Sequence, residues 1–122
     1  MTTGDEAHER RTRALLAQLG TAMIAAGQPV QEIEEELVEL GRVLGYPDVQ
    51  LAVGPTGLQV TLTEGGASTN RSAPRGLQLH QAASVRRIRY QLVRGELEPE
   101  QARDQLTAAT RRPGGPPRRA VA

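Results

Sequence analysis

The sequence predicts an α+β fold in which one layer of helices covers a small three-stranded antiparallel sheet, in the order α-α-β-β-β-α-α. Apolar residues recur every three or four positions up to residue 45 and again from residue 79, which indicates helices. Between these regions apolar and polar residues alternate, which indicates strands. Glycine and proline mark each change of period, and 122 residues are enough for one domain.

Two helices are predicted within the first 45 residues. Residues 1–12 are polar and are predicted to be disordered, and the first helix begins at Arg13. Its apolar stripe consists of Leu15, Leu19, Ala22 and Ala26, with Leu16 and Met23 beside it. Gly27 ends this helix, and Pro29 begins a second helix that ends at Gly45. The apolar face of the second helix consists of Val30, Ile33, Leu37, Leu40 and Leu44.

A β-hairpin is predicted over residues 49–62, because apolar and polar residues alternate on both sides of the turn Gly54-Pro55-Thr56-Gly57. The apolar residues that would bury one face are Val49, Leu51, Val53, Leu58, Val60 and Leu62. Residues 67–74 are predicted to form a third strand, and their polar side chains favour the edge of the sheet.

Two further helices follow the sheet. Helical spacing resumes at Leu79 and ends at Gly95, after which Leu97 is predicted to fold back as the hydrophobic contact of a Schellman cap. The apolar side of this third helix is predicted to consist of Leu79, Ala82, Val85, Ile88 and Leu92. Pro99 begins a short last helix. Its narrow apolar stripe consists of Ala102, Leu106 and Ala109.

The predicted domain covers residues 13–110, and the Arg- and Pro-rich residues 111–122 are predicted to be a disordered tail or a juxtamembrane linker. Charge is distributed unevenly along the chain. Residues 1–70 carry four arginines against ten acidic residues, whereas residues 71–122 carry 11 arginines against four. A GC-rich genome explains arginine in place of lysine but not its concentration in one half. The asymmetry indicates an anionic partner for the second half or mutual attraction of the halves.

The composition excludes several kinds of site. A chain without cysteine has no disulfide framework, cysteine-zinc site, iron–sulfur cluster or thiol nucleophile. Without lysine there is no Walker-type phosphate loop. The two histidines, His8 and His80, are a poor basis for a metal site, and the glutamates of the second helix are predicted to form a solvated face. The sequence therefore predicts no metal, no cofactor and no assigned catalytic residue.

One alternative is a small hydrolase that uses His80 and Ser84. Residues four apart on a helix can touch, and histidine and serine can act as base and nucleophile. No oxyanion turn or orienting acid accompanies the pair, so an ordinary polar helix face is the competing interpretation.

A second alternative is a small nucleic-acid-binding module that uses the Arg-rich C-terminal half. Only Tyr90 is available there to stack on bases, and no nucleic-acid motif is present. The turn Gly54–Gly57 has the Gly-x-x-Gly form of a KH clamp, but it lies between strands. The arginines of the tail suit an anionic membrane surface better, since each basic residue adds roughly 1 kcal/mol there. These arginines are Arg111, Arg112, Arg118 and Arg119.

Four features occur in an order that is found in a known family. They are the helix ending Ala-Ala-Gly27, the Leu-Gly45 end before a strand, the Gly54-Pro55-Thr56-Gly57-Leu58 turn followed by Val60-Thr61-Leu62, and the run from Arg75-Gly76-Leu77 through Gly95-Glu96-Leu97 to Leu106. Over most of its length the chain resembles the N-terminal cytoplasmic domain of the threonine/serine exporter family. Residues 68–73 differ from that family, which tends to have a Thr-Arg-Val-like strand at this place.

The resemblance implies a role in amino-acid transport. In that family the soluble domain precedes membrane helices that export small hydroxyl-bearing amino acids, and an Arg/Pro-rich linker joins the two parts. Residues 111–119 occupy the position of that linker, and the sequence stops where the membrane part is expected. The chain is thus expected to be cytoplasmic, at the inner face of the plasma membrane. Its expected role is that of an accessory or regulatory domain for a separate integral membrane transporter subunit.

The resemblance also implies candidate ligand-binding residues. Thr56 and Gly57 in the turn and Arg75 before the third helix match the motif positions. A hydroxyl, exposed turn amides and a guanidinium group suit a small amino acid such as threonine or serine. The alternative interpretation is that Thr56 fills a turn and that Arg75 caps a helix. A remnant without function is a further alternative.

Overall fold

Four helices and three strands follow one another in the predicted order. A computed structural model describes residues 3–111 of the chain. The elements are α1 (Thr3–Ala25), α2 (Val30–Val43), β1 (Gln50–Val53), β2 (Gly57–Thr61), β3 (Ser68–Ser72), α3 (Leu79–Val93) and α4 (Pro99–Ala109). The strands form an antiparallel sheet in the order β1-β2-β3. The α+β class and the α-α-β-β-β-α-α order are confirmed.

α1 begins ten residues before the predicted start at Arg13. Polar contacts hold this additional part against the rest of the domain. The ring of His8 stacks on that of Tyr46 with centroids 5.7 Å apart, and Thr63 Oγ1 donates a 3.4 Å hydrogen bond to Glu9 Oε2. Because these contacts are polar, residues 3–12 lack the apolar period from which a helix is predicted. The first two residues lie outside the described part of the chain, and the domain limits remain predictions.

α1 lies between two other layers of the molecule. It packs on β2 and β3 and also contacts α2, α3 and α4. α3 and α4 pack on other helices but not on the sheet. The helices therefore form two layers rather than the predicted single layer. The reason is that residues 15–23 of α1 are all buried, so this helix is enclosed on every side rather than along one stripe.

The sheet buries one face, as the alternation in the sequence predicts. Leu51 of β1 pairs with Val60 of β2, which in turn pairs with Thr69 of β3. Val60 and its neighbour Leu58 are buried beneath α1. The opposite face is polar and uncharged, and it consists of Gln50, Ala52, Gln59, Thr61, Ser68 and Asn70. β3 is an edge strand, as predicted, although its sequence differs from that expected in the family.

α3 ends in the predicted Schellman cap. Gly95 adopts a φ of 73°, which favours glycine. Its N–H donates to the carbonyl of Leu92 at 3.1 Å, and the N–H of Glu96 donates to the carbonyl of Gln91 at 2.8 Å. Leu97 is partly buried against the core, so the hydrophobic contact of the cap is also present.

The beginning of α3 differs from the prediction. Leu79 was expected on the buried side but is 85% exposed. Nine residues separate it from the buried Ile88, which is a rotation of about 180° around the helix. Gln81 is buried instead. Its Oε1 accepts a 2.8 Å hydrogen bond from the N–H of Gln78, and its Nε2 donates a 2.8 Å hydrogen bond to the carbonyl of Arg111. Gln81 thereby ties the end of α4 to the first turn of α3.

A second buried glutamine ties α4 to α1. Gln18 Nε2 donates to the carbonyl of Arg103 at 3.2 Å and to Thr107 Oγ1 at 3.0 Å. Arg103 Nε donates back to Gln18 Oε1 at 2.8 Å. Because both ends of the amide are satisfied, this side chain can be buried without the cost of an unpaired polar group.

Candidate functional site

A small cavity lies between the end of α1, the start of α2 and the middle of α3. Its volume is about 310 Å³, at the lower end of the range for small-molecule sites. α2 contributes the carboxylates of Glu32 and Glu36, and α3 contributes the guanidinium groups of Arg86 and Arg89. The buried side chain of Val85 forms an apolar part of the wall. The cavity thus has acidic groups on one helix and basic groups on another.

Glu36 joins three segments of the chain at this cavity. Its Oε1 accepts a 2.9 Å hydrogen bond from Gln28 Nε2. The same oxygen lies 3.1 Å from Arg89 Nε, with which it forms an ion pair. The side chains of Arg89 and Glu36 are 22% and 28% exposed, so water and salt screen this pair less than a fully exposed one. Glu32 and Arg86, in contrast, are exposed and form no ion pair with another residue in the range 3–111.

Helical spacing places these side chains together. The two glutamates are four residues apart and the two arginines three apart, so each pair shares one face of its helix. Gly27, with a φ of 84°, ends α1 and turns the chain so that Gln28 reaches Glu36. The sequence analysis missed this site because it assigned the glutamates to a solvated face. One pattern in the sequence could have indicated the site. One predicted helix carries two acidic residues four positions apart, and another carries two basic residues three positions apart.

The residues predicted to bind an amino acid lie elsewhere, near the β1–β2 turn. Thr56 is exposed, and its carbonyl accepts a 2.8 Å hydrogen bond from the N–H of Ala73. Arg75, two residues after Ala73, is exposed. Gly57 is required by packing, because a Cβ there would lie 2.7 Å from the carbonyl oxygen of Arg71. These predicted residues line neither the cavity between α2 and α3 nor a wider groove between α1 and α4, so their role in ligand binding remains a prediction.

Polar residues around the beginning of α3 have structural roles. Gln78 is the N-cap residue of α3, so Arg75 does not cap this helix. Ser84 Oγ donates a 3.2 Å hydrogen bond to the backbone carbonyl of His80. The hydroxyl is therefore directed at the backbone rather than at the imidazole, and this geometry does not activate it as a nucleophile.

A wider groove runs between the first part of α1 and α4. It has a volume of about 890 Å³ and is lined by polar and charged residues that include His8 and Arg103. His8 Nδ1 lies 2.7 Å from the hydroxyl of Tyr46. Burial, followed by the nearby carboxylate of Glu9, raises the pKa of Tyr46 above its ordinary value of 10.0. Most of its charged groups are exposed, whereas Arg103 is half-buried and engaged with Gln18.

We expect Tyr46 to ionise above pH 10.0 in the folded chain and near pH 10.0 in the unfolded chain. Folding favours the neutral phenol, so its contribution to stability is complete below the unfolded pKa and is lost as pH rises through the folded pKa. Tyrosinate absorbance should be followed in a Tyr90→Phe variant, since the chain has two tyrosines and only Tyr46 then titrates. Identical titration curves with and without urea would contradict the expectation.

Several arginines of the second half are engaged within the domain. Arg94 Nε lies 2.8 Å from the carboxylate of Glu96, and its guanidinium lies 5.3 Å from the ring centroid of Tyr90. A tyrosine face covered in this way is less available to a nucleic-acid base. Arg111, one of the four predicted membrane contacts, is exposed. The other three, Arg112, Arg118 and Arg119, lie outside the described residues.

Neither a membrane-spanning helix nor a metal-binding group is found between residues 3 and 111. None of the helices in this range combines the length and apolarity needed to cross a bilayer. No three histidine or acidic side chains are grouped there in a way that could hold a metal ion.

These observations define a small α+β domain, in which a central helix has a three-stranded sheet on one side and two helices on the other. The family model ThrE, described as a threonine/serine exporter, matches residues 14–121. The chain belongs to this threonine/serine exporter family, and the resemblance predicted from the sequence motifs is confirmed. No curated protein and no solved structure matches the chain.

Proposed function

We propose that the chain is an accessory or regulatory domain in threonine/serine export, which docks on the cytoplasmic side to a membrane-embedded transporter subunit. Family membership over residues 14–121 supports a role in transport. The observation that carries the docking proposal is that an exposed apolar side chain and the start of the Arg-rich segment are found at the same end of the domain.

This membrane-facing end is formed by the beginning of α3 and the end of α4. Leu79 is 85% exposed, and Gln81 holds the carbonyl of Arg111 by a 2.8 Å hydrogen bond. The Arg-rich residues 111–119 therefore begin at the first turn of α3, the turn that also carries the exposed Leu79. An apolar side chain can enter the interfacial region of a bilayer, while each arginine near an anionic surface adds roughly 1 kcal/mol.

The distribution of basic residues supports docking on the cytoplasmic side of the membrane. Arginine and lysine close to a membrane span are enriched on the cytoplasmic face of membrane proteins. Residues 71–122 carry 11 of the 15 basic residues. A basic segment at the same end of the domain as an exposed leucine therefore fits the inner, anionic leaflet, where the domain would also meet the transporter.

Co-purification from native membranes tests the proposal. The chain, tagged at its N-terminus, should sediment with membranes at low salt, and after mild solubilisation it should retain the membrane-spanning part of a threonine/serine exporter, identified by mass spectrometry. Recovery only in the soluble fraction at low salt, with no such protein attached, would refute the proposal.

Matched variants separate the membrane-facing end from other surfaces. Leu79→Ser should reduce membrane recovery several-fold, whereas Val43→Ser, at a position that is 49% exposed on α2, should not. Two fourfold Arg→Gln variants change the net charge equally. The tail variant replaces Arg111, Arg112, Arg118 and Arg119, and the control replaces the exposed Arg10, Arg42, Arg71 and Arg87. Equal loss of membrane binding in both would indicate general charge attraction and would contradict docking through this end.

A titration with RNA and with duplex DNA at two salt concentrations tests the nucleic-acid alternative. Binding that weakens steeply with salt and is lost in the tail variant would favour that alternative over the transporter role. The proposal expects no such binding.

A further inference from the structure

The charged cavity between α2 and α3 specifies a class of ligand. We propose that it binds a free α-amino acid as a zwitterion. Arg86 and Arg89 would hold the carboxylate, and Glu32 and Glu36 would hold the ammonium group. The choice of threonine and serine as ligands rests on the proposed function, whereas the charge argument rests on the cavity alone.

The charged groups keep free hydrogen-bonding capacity, although two of them form an ion pair. Arg89 uses Nε to contact Glu36 Oε1, so the two terminal guanidinium nitrogens form no hydrogen bond within residues 3–111. Glu36 Oε1 accepts the hydrogen bond from Gln28 and lies nearest to Arg89, and Oε2 accepts no hydrogen bond from residues 3–111. The side chains of Glu32 and Arg86 form neither ion pairs nor hydrogen bonds with other described residues. An ammonium group with three donors and a carboxylate with two acceptor oxygens match these free groups.

The balance of charge favours a ligand that carries both signs. Two carboxylates and two guanidinium groups line one small cavity. A simple anion would be attracted by the arginines but repelled by the glutamates. A simple cation would be attracted by the glutamates but repelled by the arginines. A zwitterion satisfies both walls and adds no net charge.

The size of the cavity suits a small amino acid. Its free volume of about 310 Å³ is bounded by four charged side chains. The apolar part of the wall, at Ala82 and Val85, suits a short side chain such as that of threonine.

Calorimetric titration and thermal unfolding of the full 122-residue chain test the proposal. L-Threonine or L-serine should bind saturably and raise the unfolding temperature. Threonine amide, which lacks the carboxylate, and 3-hydroxybutyrate, which lacks the ammonium group, should each bind at least about tenfold more weakly, since each loses one charge-assisted contact.

Adjacent residues supply matched controls. Arg86 lines the cavity and Arg87 does not, and both are exposed; the same holds for Glu32 and Glu35. Arg86→Gln and Glu32→Gln should each weaken binding by about fivefold or more, whereas Arg87→Gln and Glu35→Gln should leave it unchanged. Because none of these side chains is buried, circular dichroism should show all four variants folded. An Arg75→Gln variant tests the site at the turn separately.

Three results would overturn the proposal. They are the absence of saturable amino-acid binding, equal weakening in cavity and control variants, and loss of binding in Arg75→Gln alone, which would place the ligand at the turn. Equal binding of 3-hydroxybutyrate and threonine would reduce the cavity to an anion site and would also overturn it. Because this titration needs no membrane, its failure would leave the membrane co-purification result unaffected, and the two proposals can fail separately.

Discussion

Ala17→Glu is expected to lower the free energy of unfolding by at least about 4 kcal/mol, which is a large fraction of the stability of an ordinary domain. Ala17 lies on the opposite side of α1 from the stripe that begins with Leu15, so a helix with one buried stripe would expose it. In this structure it is only 1% exposed. A glutamate there would be buried without a partner and would also be too large for the space.

Equilibrium unfolding in urea, followed by circular dichroism, measures this loss. Ala83→Glu on α3 is the control, because it makes the same change at an exposed helical position and should shift stability by less than about 0.5 kcal/mol. If Ala17→Glu were as stable as Ala83→Glu, α1 would not be enclosed between the sheet and the outer helices.

Gly20→Val is expected to lower the free energy of unfolding by about 3 kcal/mol. A Cβ at Gly20 would overlap Leu58 Cδ2 of β2 and lie 2.8 Å from Leu37 Cδ1 of α2. Both leucines are buried and have little room to move. Gly20 is therefore a point at which α1 packs closely against both α2 and the sheet, and a branched side chain would force them apart.

Gly4→Val is the matched control for this prediction. Gly4 is also in α1, but it is exposed in the first turn, so its replacement should change stability by less than about 0.5 kcal/mol. The same urea titration compares the two variants. A Gly20→Val chain that unfolds at the same urea concentration as the Gly4→Val chain would disprove the close packing at Gly20.

The order of elements was predictable because it depends on local patterns. Helical and alternating periods, together with glycine at the ends of helices, identified all seven elements and the edge position of β3. The arrangement of the helices in two layers depends on how α1 is covered by distant parts of the chain. Positions such as Ala17 and Gly20 do not show in a sequence whether they face solvent or another helix.

The cavity was less predictable than the fold. The ion pair between Glu36 and Arg89 joins residues more than 50 positions apart in the sequence. A local sequence pattern cannot predict a contact between such distant residues. The motif-based candidates Thr56 and Arg75 were found because they are close in sequence to recognisable turns. A charged face of a helix looks the same in a sequence whether water or another charged helix lies opposite.

The contact between α1 and α4 makes the two ends of the chain depend on each other during biosynthesis. The hydrogen bond from Gln18 to Arg103 spans 85 residues, and α1 also needs the intervening strands to cover it. A growing chain therefore leaves the ribosome with the apolar surface of α1 uncovered until α4 has emerged. Contacts of such long range slow folding and expose intermediates to aggregation. We therefore expect the domain to fold only after α4 has been synthesised, and a fragment without α4 to be less stable than the whole domain.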